Sequence, residues 1–169
     1  QSTGRWGEIV RAFALYKWHI IGTSSCWFLL DATFYANGLF NHDVTSLIIG
    51  GGQSNTTSAS TDAINSAFIC IVGIPGYLLS MIYIDTLGRK NIQMLGFGVL
   101  AVAYSICCFG HDWFMYNDGT NNTQIKKYCY LVIYALTFLF SNFGPNTTSF
   151  VIPGEIYPAQ VRATCHGIS

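Results

Sequence analysis

Four runs of apolar residues, each near the length that crosses a bilayer, leave this chain little choice of fold. They cover residues 18–40, 63–84, 91–110 and 128–152. Inside a membrane, backbone polar groups must be satisfied within the protein, by helices or by a closed barrel. The runs are far longer than the roughly 9–11 residues of a barrel strand and do not alternate polar with apolar. The expected fold class is an all-α membrane protein, a transmembrane helix bundle. Of the 169 residues, 51% are hydrophobic and 9% are charged, against about 25% charged in soluble domains. Net charge is zero, so no overall basic field suggests a nucleic-acid partner.

Asp31 is the only charged residue between Trp18 and Phe40. It falls near the middle of that run, where a carboxylate costs about 2.5–3.5 kcal/mol on insertion scales, which makes it a functional candidate. Trp27, Asp31 and Tyr35 are spaced i, i+4, i+8, so they share one helical face. An indole N–H, a titratable acid and a phenol then look into one space.

Lysine and arginine placement sets the expected topology. Arg5, Arg11, Lys17, Arg89, Lys90 and Arg162 fall on one side, and Lys126 and Lys127 on the other. The positive-inside rule puts the N-terminus of this chain and the Arg89 loop in the cytosol. The outer loops are then 41–62, with its Gly/Ser/Thr stretch, and 111–127; Asn55 and Asn121 begin glycosylation acceptor triplets in them. The chain starts at Gln1 and ends soon after a cytosolic-type loop, which reads as a piece of a longer polypeptide. Cys26, Cys70, Cys107, Cys108 and Cys129 lie in or beside apolar runs, and Cys165 in a turn. They show no CxxC or Cys/His metal spacing and read as small packing residues. His19, His42, His111 and His166 share no ligand spacing either. No metal or other cofactor is expected.

Two runs carry helix-breaking pairs: Pro75-Gly76, and Gly144-Pro145 between Asn142 and Asn146. Proline removes a backbone hydrogen bond and kinks a helix, and broken helices near mid-membrane mark binding sites in transporters. Gly96, Gly98, Ala101, Ala103 and Ser105 offer the third run places for close helix approach. At the cytosolic edge, Asp85-Thr-Leu-Gly88-Arg89-Lys90 and Pro153-Gly-Glu155-Ile-Tyr157-Pro158-Ala-Gln-Val-Arg162 each present acid and base. Surface ion pairs contribute only about 0–1 kcal/mol each. A network that breaks and reforms between states needs only a few kcal/mol to set populations.

A D-x-x-G-R-K turn followed by P-x-E-x-(Y/F)-P-x-x-x-R resembles the major facilitator superfamily, in its sugar-porter-like branch. The segments GTSSCWFLLDATFYANGLF, PGYLLSMIYIDTLGRKNIQMLGF and FLFSNFGPNTTSFVIPGEIYPAQVRATCHGIS narrow the likeness to the plant and fungal phosphate:proton symporters. The resemblance runs over residues 16–169 and implies that 1–169 is a partial C-terminal transporter half, helices seven to ten and the start of eleven. It implies phosphate-binding positions at Trp27, Asp31 and Tyr35, and a helix-ten asparagine matched by Asn146, with Asn142 one turn away as the second choice. It implies a cytosolic charge network of Asp85, Arg89, Glu155 and Arg162. The family's other phosphate ligands lie on helices outside this chain.

The expected function is therefore a proton-coupled inorganic phosphate symporter working by alternating access, a multi-pass protein of the plasma membrane. Its partners would be phosphate, protons, the lipid bilayer and the N-terminal half of the same polypeptide. An ionised Asp31 about 4 Å from phosphate would repel it by about 4 kcal/mol at an effective dielectric near 20, so a protonated Asp31 suits the anion and would couple its uptake to protons. The alternatives are a sugar or organic-ion porter of the same superfamily, against which the mid-helix acid argues, and a phosphate-sensing receptor with a transporter fold. An enzyme is not expected, since there is no second acid near Asp31 and no activated nucleophile.

Overall fold

The computed structural model describes residues 5–49, 59–116 and 121–169. Every element among them is helical: α1 (Arg5–Ile49), α2 (Ala59–Leu87), α3 (Arg89–Met115), α4 (Asn121–Ser141), a π-helical turn (Asn142–Asn146), α5 (Thr147–Ile156) and α6 (Arg162–Ile168). The chain is thus an all-α membrane protein. Among the described residues, three helical stretches are long and apolar enough to cross a bilayer: Cys70–Leu87, Arg89–Met115 and Thr123–Ile156. The runs expected at 63–84, 91–110 and 128–152 overlap them. The run at 18–40 lies inside α1, which is not among the three; His19, Asp31 and Asn37 interrupt its apolar residues. Asn55 and most of the Gly/Ser/Thr stretch lie outside the described residues.

Gly88 alone separates α2 from α3. Its φ of 84° and ψ of 145° belong to a region open essentially to glycine. This one-residue turn sets Asp85 and Arg89 on adjacent turns of two helices that reverse direction.

The α4–α5 span is broken by a wide π turn, Asn142–Asn146, around Pro145. Proline lacks the N–H a helix would use there, and its ring crowds the carbonyl one turn back; adding a residue to the turn relieves this. Nearby hydroxyls take up carbonyls of the turn: Thr147 Oγ1 donates to Asn142 O at 2.7 Å, and Thr148 Oγ1 to Gly144 O at 2.9 Å. By contrast, α2 runs unbroken through Pro75, so the expected break there is absent.

Glycines let the broken segment sit directly on its neighbours. A Cβ on Gly96 of α3 would meet Pro145 Cδ and lie 2.8 Å from Gly144 Cα. A Cβ on Gly76 of α2 would meet Leu139 O and lie 3.0 Å from Phe143 N. Backbone contact of this kind is how helices associate where lipid offers no hydrophobic driving force between them. Gly98, also expected to serve close approach, faces open space.

The long α1 crosses this core. Ile20 packs with buried Tyr157, Val161 and Cys165, Trp27 meets Phe150, and Phe34 meets Phe138. Farther along, Asn37 Nδ2 donates to Tyr104 Oη at 2.6 Å, and Tyr134 Oη donates to Asn37 O at 3.1 Å. The outer faces are apolar and open: Phe28 is 71% and Phe109 88% exposed, as suits a surface solvated by lipid.

Candidate functional site

Three groups of expected residues occupy three places. On α1, the helical period does align Trp27, Asp31 and Tyr35, but their surroundings differ. The Trp27 ring stands edge-on to Phe150 of α5 with centroids 4.5 Å apart, and 6.2 Å from the His166 ring of α6. Asp31 is half-buried, and among the described residues no side chain donates to it. Tyr35 is 66% exposed and touches the ring of its neighbour Phe34.

The second place is the π turn. Asn142 is buried, and its Nδ2 donates to Gly73 O of α2 at 3.3 Å. Asn146 Nδ2 donates to Asn142 Oδ1 at 2.7 Å and to the Tyr77 hydroxyl at 2.6 Å. Four residues from α2 and the break thus form one polar chain. Among the described residues no hydrogen bond links this chain to Asp31. Tyr77 was not anticipated. It is one of ten tyrosines, and only the nearby Gly73–Gly76 spacing hints that α2 comes close to another backbone there.

The third place is the end of the bundle that carries Gly88. Arg89 Nη1 lies 2.8 Å from Asp85 Oδ1. Across the helices, Arg89 grips Glu155 with two nitrogens, Nε to Oε2 and Nη2 to Oε1, each at 3.0 Å. This is the bidentate geometry that favours arginine over lysine. Arg162 stands apart from these carboxylates; its Nε donates to Tyr157 O at 3.1 Å, closing the bend between α5 and α6.

Cavities open at two places. One of about 600 Å³ opens between α1, α3 and α5 beside the charge network, lined by His19, Thr23, Cys26, Arg89, Gln93 and Glu155 among others. The other, about 470 Å³, lies toward the opposite end around Asn37, Tyr104, His111, Tyr130 and Tyr134. Neither is lined by Asp31 or Asn146. Among the described residues no group of His, Cys, Asp and Glu is arranged to hold a metal ion. The arrangement has hydrogen-bonding groups inside a membrane span and a breakable ion-pair cluster at one end, which suits passage of a polar solute.

Comparison with known proteins agrees in kind. Residues 45–169 match the family described as sugar (and other) transporter. The chain is 39% identical to inorganic phosphate transporter 1-6 of Oryza sativa subsp. japonica over 169 aligned positions, covering 96% of this chain and 30% of that protein. It is 38% identical to inorganic phosphate transporter 1-1 of Arabidopsis thaliana, over 89% of this chain and 28% of that protein. A probable inorganic phosphate transporter 1-6 of Arabidopsis thaliana gives 38% over 89% of this chain and 29% of its own length. The chain therefore spans less than a third of the curated relatives it matches.

Proposed function

We propose, from the premise that this chain belongs to the sugar (and other) transporter family of the major facilitator superfamily, that the whole protein carries inorganic phosphate together with protons by alternating access. The observation that carries this reading is the broken span with its Asn142–Asn146 pair, in a chain similar along nearly all its length to proteins named inorganic phosphate transporters. The remainder of a longer polypeptide would supply the opposing wall.

Trp27, Asp31, Tyr35 and Asn146, with Asn142 beside it, form this chain's share of the phosphate site. Asp31 carries the coupled proton. Protonated, it donates a hydrogen bond to the anion; ionised, at about 4 Å, it would repel it by about 4 kcal/mol at an effective dielectric near 20. Release of that proton on the far side therefore favours release of phosphate. Asp85, Arg89 and Glu155 latch one end of the bundle, and Arg162 joins them in another conformation of the cycle. Lys/Arg placement makes that end cytosolic, in a multi-pass protein of the plasma membrane. A sugar substrate is disfavoured by the presence of an acid, Asp31, in mid-helix.

The test is uptake of labelled phosphate by the full-length protein at two external pH values, with and without Asp31→Asn. Uptake should rise as external pH falls, and Asp31→Asn should abolish gradient-driven accumulation. Normal accumulation by Asp31→Asn would remove Asp31 from the coupling role. Glucose uptake without phosphate uptake would replace the substrate.

A further inference from the structure

We infer that Tyr77 and Asn146 form a donor–acceptor pair for the substrate oxyanion, with Tyr77 giving its hydroxyl proton and Asn146 offering its carbonyl oxygen; this rests on the phosphate reading above. The polarity of the pair is dictated by a backbone atom. Gly73 O can only accept, so the Asn142 amide must turn its nitrogen toward it, at 3.3 Å. The missing side chain of Gly73 admits that nitrogen, since a Cβ there would meet Asn142 Nδ2. Asn142 Oδ1 is thereby turned toward Asn146 and can only accept. Asn146 must answer with Nδ2, at 2.7 Å. Turning the Asn146 amide over would set two carbonyl oxygens against each other.

The same Asn146 nitrogen reaches the Tyr77 hydroxyl at 2.6 Å, so both of its protons are used. Asn146 then has no N–H left for an anion, and its Oδ1 has no partner among the described residues. The Tyr77 oxygen accepts from Asn146, which leaves the phenolic proton free to donate. An asparagine beside an anion is ordinarily read as the donor; here the donor is the tyrosine.

A pair that gives one hydrogen bond and takes another fits an oxyanion bearing both a charged oxygen and an O–H. Phosphate at neutral pH keeps a P–OH in either of its common forms. Sulfate has acceptors only, and its oxygen would face the Asn146 carbonyl oxygen without a proton between them. Tyr77 is then a substrate-binding residue, and Asn146 a residue that determines specificity.

The experiment uses the full-length protein in phosphate-uptake-deficient cells, with labelled phosphate, unlabelled sulfate as competitor and an epitope tag to normalise membrane content. Tyr77→Phe should raise the half-saturating phosphate concentration about tenfold at unchanged maximal rate, the loss expected for one hydrogen bond to a charged group. Tyr83→Phe, farther along α2, is the matched control and should be unaltered. Asn146→Ser, whose hydroxyl can rotate to donate, should narrow the preference for phosphate over sulfate about tenfold and keeps the test alive if Tyr77→Phe does not reach the membrane. Unchanged half-saturation in Tyr77→Phe, or unchanged selectivity in Asn146→Ser, overturns the pair while normal uptake leaves the transport reading standing. No phosphate uptake by the unsubstituted protein overturns both.

Discussion

Arg89 is held by two carboxylates, and the two contacts differ in kind. Asp85 reaches it from the preceding turn of chain, whereas Glu155 binds it in bidentate fashion from α5, which makes the second contact a tie between helices. Both carboxylates are more than half exposed, and exposed pairs contribute about 0–1 kcal/mol. Glu155→Gln should therefore lower thermal stability in detergent by less than about 1 kcal/mol. Its effect should fall on the balance of conformations, which a few kcal/mol decides. A cysteine placed at Gln93, in the cavity beside Arg89, should react several-fold faster with a hydrophilic maleimide in the Glu155→Gln background; equal rates would refute the latch. These three residues were legible because charge is rare in this chain and a glycine turn gathers it. The place of Arg162 was less so, because the bend after Tyr157 decides which carbonyl or carboxylate its guanidinium meets. For Trp27, the helical period identified the face, but nothing in the order of residues said that Phe150 would lie against it.

At the scale of elements, the broken helix is held by absences. Gly96 and Gly144 touch backbone to backbone, and neither a proline ring nor a main chain can swing aside as a flexible side chain does. Gly96→Ala should cost about 1–3 kcal/mol, as overpacking does, read as a lower midpoint in a detergent thermal-stability assay. Gly98→Ala, facing open space on the same helix, should be neutral or slightly stabilising. Equal behaviour of the two would contradict the packing of α3 on the π turn. Gly88→Ala should cost about 1–3 kcal/mol for backbone strain alone, since no atom lies within 4 Å of a Cβ built there. The sequence marked both Pro75-Gly76 and the asparagine-flanked Gly144-Pro145 as interruptions, and only the second departs from the α-helix. The Thr147 and Thr148 hydroxyls that take up carbonyls, and the two glycine-lined neighbours, sit only at the second.

For the molecule as a whole, fold class followed from run length and charge scarcity, because a bilayer admits few ways to satisfy a backbone. Helix pairing did not follow, since apolar residues facing lipid and facing another helix look alike in sequence. The half-open α1 face illustrates this: Tyr35 is 66% exposed, and hydrophobicity alone does not say whether such a face meets lipid or protein. Charge does choose a direction. Arg89, Lys90 and Arg162 share one end of the bundle with Arg11 and Lys17, and Lys126 and Lys127 lie toward the other. Under the positive-inside rule, an epitope inserted after Gly51 of the full-length protein should bind antibody on intact cells. One inserted after Ala159, in the exposed bend between α5 and α6, should bind only after permeabilisation. The reverse pattern would invert the bundle and put the Arg89–Glu155 tie at the outer face.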